Sequence, residues 1–281
     1  MLVGSYVQDG IEVGRWVQEV ARGVTAFYDI DTPVTLAALD AGRCAYLSHA
    51  VIPAYDVYFS FTGGPTLRRL EQVYGSPCAL PLYCSVDPEA YKPVETPRLY
   101  ELGYLGTYSV DRQPTLERLL IEPARRLPHR RFVVAGPQYP DDIAWPENVV
   151  RIDHVAPKDH AAFYAACRYT LNVTRGDMIA AGYSPSVRLF EAAACGAPII
   201  SDVWNGIEEV LAPGREIVLA QGAVDVVTCL SEADDRQRDS PAAMARQRIL
   251  GAHTSAHRAA EFEAGLFGAM QAANPVDAAA G

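Results

Sequence analysis

Short apolar runs alternate with longer amphipathic stretches from one end of the chain to the other. This is the pattern of a parallel sheet covered by helices on both faces, so the fold class is α/β. Strands are predicted at 2–7, 24–29, 56–60 and 78–82, and again at 99–105, 131–135, 149–152, 170–173, 198–202 and 216–219. Helices are predicted to begin near Gly10, Pro33 and Pro65, with Gly42 and Gly75 closing two of them. Later helices are predicted over 111–127, 157–168, 185–195, 206–211 and 223–232. From Pro241 to about Met270 no proline interrupts the chain, and Met244, Ile249, Leu250, Phe262, Leu266 and Phe267 recur at roughly helical intervals, which predicts one or two terminal helices.

Pro88, Pro93 and Pro97 break regular structure between 85 and 97, where acidic residues also cluster, and the domain boundary is placed there. The division is 1–95, 96–272 and a tail at 273–281 expected to be disordered. Four strands precede the linker and six follow it. The first domain, of ~90 residues, lies at the short end of the range for an independent unit.

The stretch from Tyr183 to Ile200 carries the most functional information. It reads as loop, helix, glycine stop and buried strand: Ser184 caps, Pro185 takes the first helical position, Gly196 takes the left-handed residue after the last turn, and Pro198-Ile199-Ile200 opens a strand buried on both faces. Glu191 falls inside that helix beside Ala192, Ala193 and Ala194, which are small enough for close approach to a sheet or ligand. A carboxylate in such surroundings needs a partner. With Ser201 to Val210 and Pro213 to Ile217, the text resembles the donor-site region of nucleotide-sugar glycosyltransferases of the GT-B fold, in particular their CgeB-like, spore-maturation branch.

The resemblance implies two facing Rossmann-like domains, the first of them apparently incomplete and shortened at its N-terminus, and transfer of a sugar from a nucleoside-diphosphate sugar to an unidentified acceptor. It maps the carboxylate that accepts from the nucleotide ribose onto Glu191. The preceding carboxylate of the wider group, eight positions earlier, is Tyr183 here. The resemblance also places donor contacts at His154, between a strand and a helix, and a phosphate-neutralising pair on the loop from Gly106 to Arg112. There Arg112 stands where the family has Lys, and Thr107 where it has Arg.

Read from its own residues, that loop runs from a strand through Gly106, Thr107, Tyr108 and Ser109 into a helix, a turn whose amides can hold a diphosphate while Arg112 adds a donor. An ordinary turn with a surface arginine has the same text. Arg175 at a strand end, and Ser186 and Arg188 at the start of the Glu191 helix, are further donor-site candidates, because ligands gather beyond the carboxyl ends of parallel strands. Either arginine could instead pair with a surface acid such as Asp177. Asp29-Ile30-Asp31 has the spacing by which other glycosyltransferases hold a divalent metal, but Asp31 or Thr32 before Pro33 is also a helix cap. The preferred role for Asp29 and Asp31 is as strand-end acids that bind acceptor hydroxyls or act as base. His253 and His257 stand four apart on a predicted helix, where packing is favoured over a metal site.

Composition narrows the partners. The chain of 281 residues has a net charge of −10 and no basic run longer than two arginines, which argues against nucleic acid. Six cysteines at 44, 78, 84, 167, 195 and 229 form no C-x-x-C pair and read as reduced thiols. With no span-length apolar run and no basic-then-apolar leader, a cytoplasmic protein without a transmembrane segment is expected. No metal or other cofactor is expected beyond the donor substrate. The alternatives are a nucleotide-sugar-binding protein without turnover, prompted by Tyr183, and a nicotinamide-dependent dehydrogenase, disfavoured because no G-x-G-x-x-G follows an early strand.

Overall fold

The computed structural model describes residues 1–232 and 234–273. The tail expected at 273–281 lies, beyond Ala273, outside the described residues. The chain forms two compact units. The first is built from Met1–Cys84, Ala180–Pro185 and the chain from Ala256 onward; the second from Ser85–Ile179 and Ser186–Ser255. The chain therefore leaves the first unit at the start of the proline-rich segment, but it also re-enters it twice. The single long second domain of the sequence reading is in fact interrupted at 180–185, and the last helix groups with the first unit.

In the first unit β1 (Leu2–Gly4), α1 (Gly10–Val20), β2 (Ala26–Asp29), α2 (Thr32–Asp40), β3 (Val57–Ser60), α3 (Pro65–Gln72) and β4 (Ala79–Pro81) alternate strictly. The four strands are parallel and lie in chain order. With right-handed crossovers, strands laid down one after another put all their connecting helices on one face. Side chains alternate accordingly: Phe27 and Tyr58 join Val17, Leu36, Leu39 and Leu70 on the helix-covered face, while Ala26, Val57 and Phe59 point to the other. That second face would be bare without the end of the chain.

The second unit contains β5 (Tyr100–Leu105), α4 (Gln113–Leu116), a π-helical turn (Glu117–Ile121), α5 (Glu122–Arg126), β6 (Phe132–Ala135), β7 (Val149–Ile152), α6 (His160–Ala165), β8 (Cys167–Asn172), α7 (Gly176–Ala181), α8 (Val187–Ala194), β9 (Ile199–Ser201), β10 (Val218–Leu219), α9 (Ala223–Glu232) and α10 (Asp235–Ala252). Its six parallel strands have the order β10-β9-β8-β5-β6-β7. The chain starts in the middle, builds outward one way, and returns to build outward the other way. Neighbouring β5 and β8 therefore form the switch point, beyond whose carboxyl ends a crevice opens. The helix α11 (Ser255–Ala273) completes the chain, and from it Phe262, Leu266 and Ala269 cover the bare face of the first sheet. Gly265 lets it approach, since a Cβ there would lie 2.8 Å from the ring of Phe59.

Several local expectations are corrected. The helix expected from Pro241 starts at Asp235, because Asp234 and Gln237 form a reciprocal cap with bonds of 2.7 and 3.0 Å. Pro241 is then inside it. The chain leaves helix between α10 and α11, where Val86 bonds His253 and Ser255 in a parallel bridge, so His253 and His257 do not share one helical face. His253 packs against Phe190 instead. The helix expected at 206–211 is a single 3-10 turn, Ile207–Glu209, and α7 was not foreseen. All six cysteines are free.

Asp29 ends β2 with none of its surface exposed. It accepts from Tyr58 Oη at 2.5 Å, Thr35 Oγ1 at 2.9 Å and the amide of Asp31 at 3.1 Å. Burial pushes its carboxyl upward, and the three donors pull it back. The expected role of Asp29 as a base or acceptor contact is thereby corrected: no substrate hydroxyl reaches a fully covered carboxylate. Replacing Asp29 with Ala should strand three buried donors and cost the first unit about 3 kcal/mol. Faster hydrogen exchange of the β2 and β3 amides, with β5 and β8 amides unchanged, is the expected outcome.

Candidate active site

The loops that follow β5 and β6 meet backbone to backbone. A Cβ on Gly136, which has φ +141°, would lie 2.1 Å from the carbonyl oxygen of Gly106 and 3.0 Å from the amide of Thr107, so only glycine fits. The amide of Gly106 donates to Ala135 at 2.8 Å and that of Tyr108 to Pro137 at 3.0 Å. Two of the amides expected to hold a phosphate are thus occupied by the neighbouring loop, and anion binding falls to side chains. Tyr108 turns its ring to Tyr139 rather than to the cavity.

Arg188 supplies one such side chain. It lies in the first turn of α8, capped by Ser186, whose hydroxyl accepts from the Arg188 amide at 3.4 Å. The cap foreseen at Ser184 is corrected: that hydroxyl sits 2.8 Å from Thr62 Oγ1 within the first unit. Arg188 is 7% exposed. Its Nε donates to the carbonyl of Leu105 at 2.7 Å and its Nη1 to Asn172 Oδ1 at 3.0 Å, so it bridges the carboxyl ends of β5 and β8 across the switch point. The ring of Tyr104 lies 4.7 Å away, and Nη2 points towards Gly106, 2.7 Å from where a Cβ would be. Among the described residues no carboxylate forms an ion pair with it. Asp202, whose carboxyl the Arg188 charge reaches, is bound to the amide and hydroxyl of Thr174 at 2.9 and 2.8 Å.

A cavity of about 440 Å³ opens in front of these groups, lined by Gly106, Thr107, Arg112, Arg188 and Glu191 among the residues foreseen, and by His154 at its rim. Arg112 donates to the carbonyl of Thr107 at 2.9 Å, while its buried Nε has no partner among the described residues. Arg175 lies outside this wall, at the head of α7, and Asp29 and Asp31 belong to the first unit. Glu191, three residues on and on the same face of α8 as Arg188, lines the cavity beside it. Its Oε2 accepts from Tyr164 Oη at 2.9 Å and lies 3.6 Å from His160 Nδ1. Burial, then the Glu191 charge, holds the Tyr164 hydroxyl well above its ordinary value and so keeps it a donor. Tyr164, His160 and Asn172 were missed by sequence reasoning. The one available signal was the four-residue spacing of His160 and Tyr164, which puts both on one face of α6.

The cavity thus gathers two guanidiniums, Arg112 and Arg188, and one carboxylate, Glu191, in one lining. A family model described as glycosyl transferase-like matches residues 112–264, more than half of the chain. The chain belongs to this family. A curated relative, the D-inositol 3-phosphate glycosyltransferase of Mycolicibacterium smegmatis, is 31% identical over 153 residues, 51% of this chain and 33% of the relative. The chain spans about a third of that relative's length. Among solved structures, HepE of Anabaena in complex with UDP-glucose superposes with a TM-score of 0.71 at 14% identity, over 95% of this chain and 78% of that one. Sucrose-phosphate synthase from Thermosynechococcus elongatus gives 0.67 at 15% identity, over 99% and 74%. At these identities the likeness shows the fold, which is the GT-B arrangement of parallel α/β units.

Replacing Gly136 with Ala should force the loops after β5 and β6 apart. The expected outcome is a loss of about 3 kcal/mol in denaturant unfolding of the second unit.

Proposed function

We propose that the chain transfers a glycosyl group from a nucleoside-diphosphate sugar to an acceptor hydroxyl, and that it belongs to the CgeB-like branch of its family. One observation carries this reading: a buried guanidinium, Arg188, that forms no ion pair among the described residues, at the switch point of a parallel sheet and facing an open cavity. Burying a charge with neutral acceptors alone is costly, and an anion entering the cavity would relieve that cost. Arg112 stands on the same wall with an unused Nε. A diphosphate at this end would place its nucleoside towards Glu191, a carboxylate able to accept from ribose hydroxyls. The UDP-sugar complex of the structural neighbour HepE supports the same class of donor.

In this mechanism the anomeric bond breaks as negative charge grows on the departing diphosphate, and the two guanidiniums stabilise that charge more in the transition state than in the bound donor. We place Gly106 and Thr107 beside the phosphates and His154 at the nucleoside end. Tyr108 and Arg175 act only as supports of the loops. The transfer is read as independent of a resident metal, because the carboxylates of Asp29 and Asp31 are engaged by Tyr58, Thr35 and Tyr6. No helix among the described residues is long and apolar enough to cross a membrane, and we place the activity in the cytoplasm.

Calorimetry with UDP, GDP and ADP, each beside its nucleoside, tests the donor site. Arg188→Met should weaken the preferred diphosphate by about 1.5–3 kcal/mol and leave the nucleoside unchanged, whereas Glu191→Ala should weaken both. Loss of neither would remove the nucleotide from this cavity. Arg112→Ala should lower kcat more than it raises KM, and chelation of divalent metal should leave turnover intact. Binding of a nucleotide sugar without transfer or hydrolysis would favour a carrier over an enzyme.

A further inference from the structure

Within the second unit the carboxylate of Glu191 meets the imidazole of His160, and the meeting fixes where the imidazole carries its proton. His160 opens α6, and its ring contacts those of two tyrosines: Tyr164 at 6.4 Å and 76°, and Tyr91, from the proline-rich segment, at 6.2 Å and 54°. Held by both, the ring turns Nδ1 towards oxygen atoms. Glu191 Oε2 lies at 3.6 Å and Tyr91 Oη at 3.4 Å.

A neutral imidazole has one N–H and one lone pair, and its surroundings decide which nitrogen holds which. A lone pair on Nδ1 would face the negative charge of Glu191 and be repelled, whereas an N–H there is attracted. Neither phenol provides the hydrogen in its place. Tyr164 gives its own to Glu191 Oε2 at 2.9 Å. Burial, then the Glu191 charge and a hydrogen bond to that carboxylate, holds the Tyr91 hydroxyl well above its ordinary value, so it too stays a donor to Glu191 and turns an oxygen lone pair to the imidazole. Nδ1 therefore faces acceptors and takes the proton. Nε2, on the far side of the ring, keeps its lone pair and makes no hydrogen bond among the described residues.

His160 lines the same cavity as Glu191. A carboxylate can only accept, and an Nδ1–H imidazole can only accept at Nε2, so the two residues offer the ligand neighbouring acceptors. Neighbouring acceptors match neighbouring donors, and a nucleoside carries such a pair in the vicinal hydroxyls of its ribose. We propose that His160 is a specificity-determining residue of the donor site, an Nδ1–H tautomer whose Nε2 accepts from one ribose hydroxyl while Glu191 accepts from the other. A deoxyribose would leave one of these acceptors unpaired, which is how a site built to bond a hydroxyl rejects the analogue lacking it. The proposal rests on the nucleotide-sugar reading of this cavity.

Two measurements on the full chain test it. Long-range proton–nitrogen correlation spectra of the nucleotide-free protein, at alkaline pH where the imidazole is neutral, read the tautomer directly. The His160 signals, assigned by their loss in His160→Phe, are expected to show the proton on Nδ1, and Glu191→Gln, which removes the charge, should move it towards Nε2. Calorimetry with UDP, GDP and ADP, each beside its 2′-deoxy and 3′-deoxy forms, reads the discrimination. Each deoxy form of the preferred nucleotide should bind about tenfold more weakly. In His160→Phe the penalty for one of the two should disappear, with affinity for inorganic pyrophosphate unchanged. His160→Gln, which can return an acceptor, should restore part of that penalty, and it replaces the Phe variant if thermal unfolding shows that the latter does not fold. Binding of none of the three nucleotides would remove the reading beneath the proposal, and the proposal with it. Nucleotide binding with the His160 proton on Nε2, or an equal loss for ribose and deoxyribose forms in the folded His160 variants, would overturn the proposal and leave that reading standing.

Discussion

The second unit is organised around a buried guanidinium that forms no ion pair among the described residues. Arg188 crosses from α8 to the ends of β5 and β8 and satisfies its donors on the carbonyl of Leu105 and the amide oxygen of Asn172. Those acceptors are neutral, so they take up two of its N–H groups without supplying a counter-charge. Much of the local design follows from holding it there. Tyr104 must present a ring face beneath it, Gly106 must carry no side chain, and Gly136 must let the adjoining loop close over the β5 end. In a chain with net charge −10, Arg112 and Arg188 nonetheless line one cavity, a local concentration of cations that favours an anion.

The arrangement of strands was legible in the sequence because buried parallel strands are written as nearly continuous apolar runs. Ten strands were foreseen where ten occur among the described residues, each within a few residues of its bounds. The terminal helix was legible as a helix but not as the cover of the first sheet. Its place follows only once the order β1-β2-β3-β4 is known, since that order leaves the Ala26, Val57 and Phe59 face uncovered. Capping rules failed where a distant partner competed. Ser184 before Pro185 and Ser186 before Val187 are equally good starts by local chemistry, and the hydroxyl of Thr62 decides between them.

The same division holds at the cavity. Arg188 and Arg112 were found because each stands at a recognisable junction of helix and loop, and Glu191 because it is a carboxylate among small apolar residues inside a helix. Tyr164, His160 and Asn172 were not, because their roles arise where α6 and β8 come against α8, and single-sequence patterns do not report such meetings. The amides of Gly106 and Tyr108 were misread for a related reason. A glycine-containing loop before a helix suits an anion, but whether its amides are available depends on the loop beside it.

The acids after β2 show how environment, rather than residue type, sets a role. Both carboxylates stand at the end of a parallel strand, where catalytic acids are commonly found. Yet Thr35 and Tyr58 surround Asp29 with donors, and Tyr6 reaches over to Asp31. Burial raises the Asp29 carboxyl and its three donors offset part of that rise, so what sets its role is that it is covered and committed to orienting the groups that donate to it. The two units therefore use charge in opposite senses. In the second, a buried guanidinium that forms no ion pair among the described residues faces a cavity and favours an anionic ligand. In the first, the buried carboxylate of Asp29 is spent on three donors of its own unit and serves the packing around it.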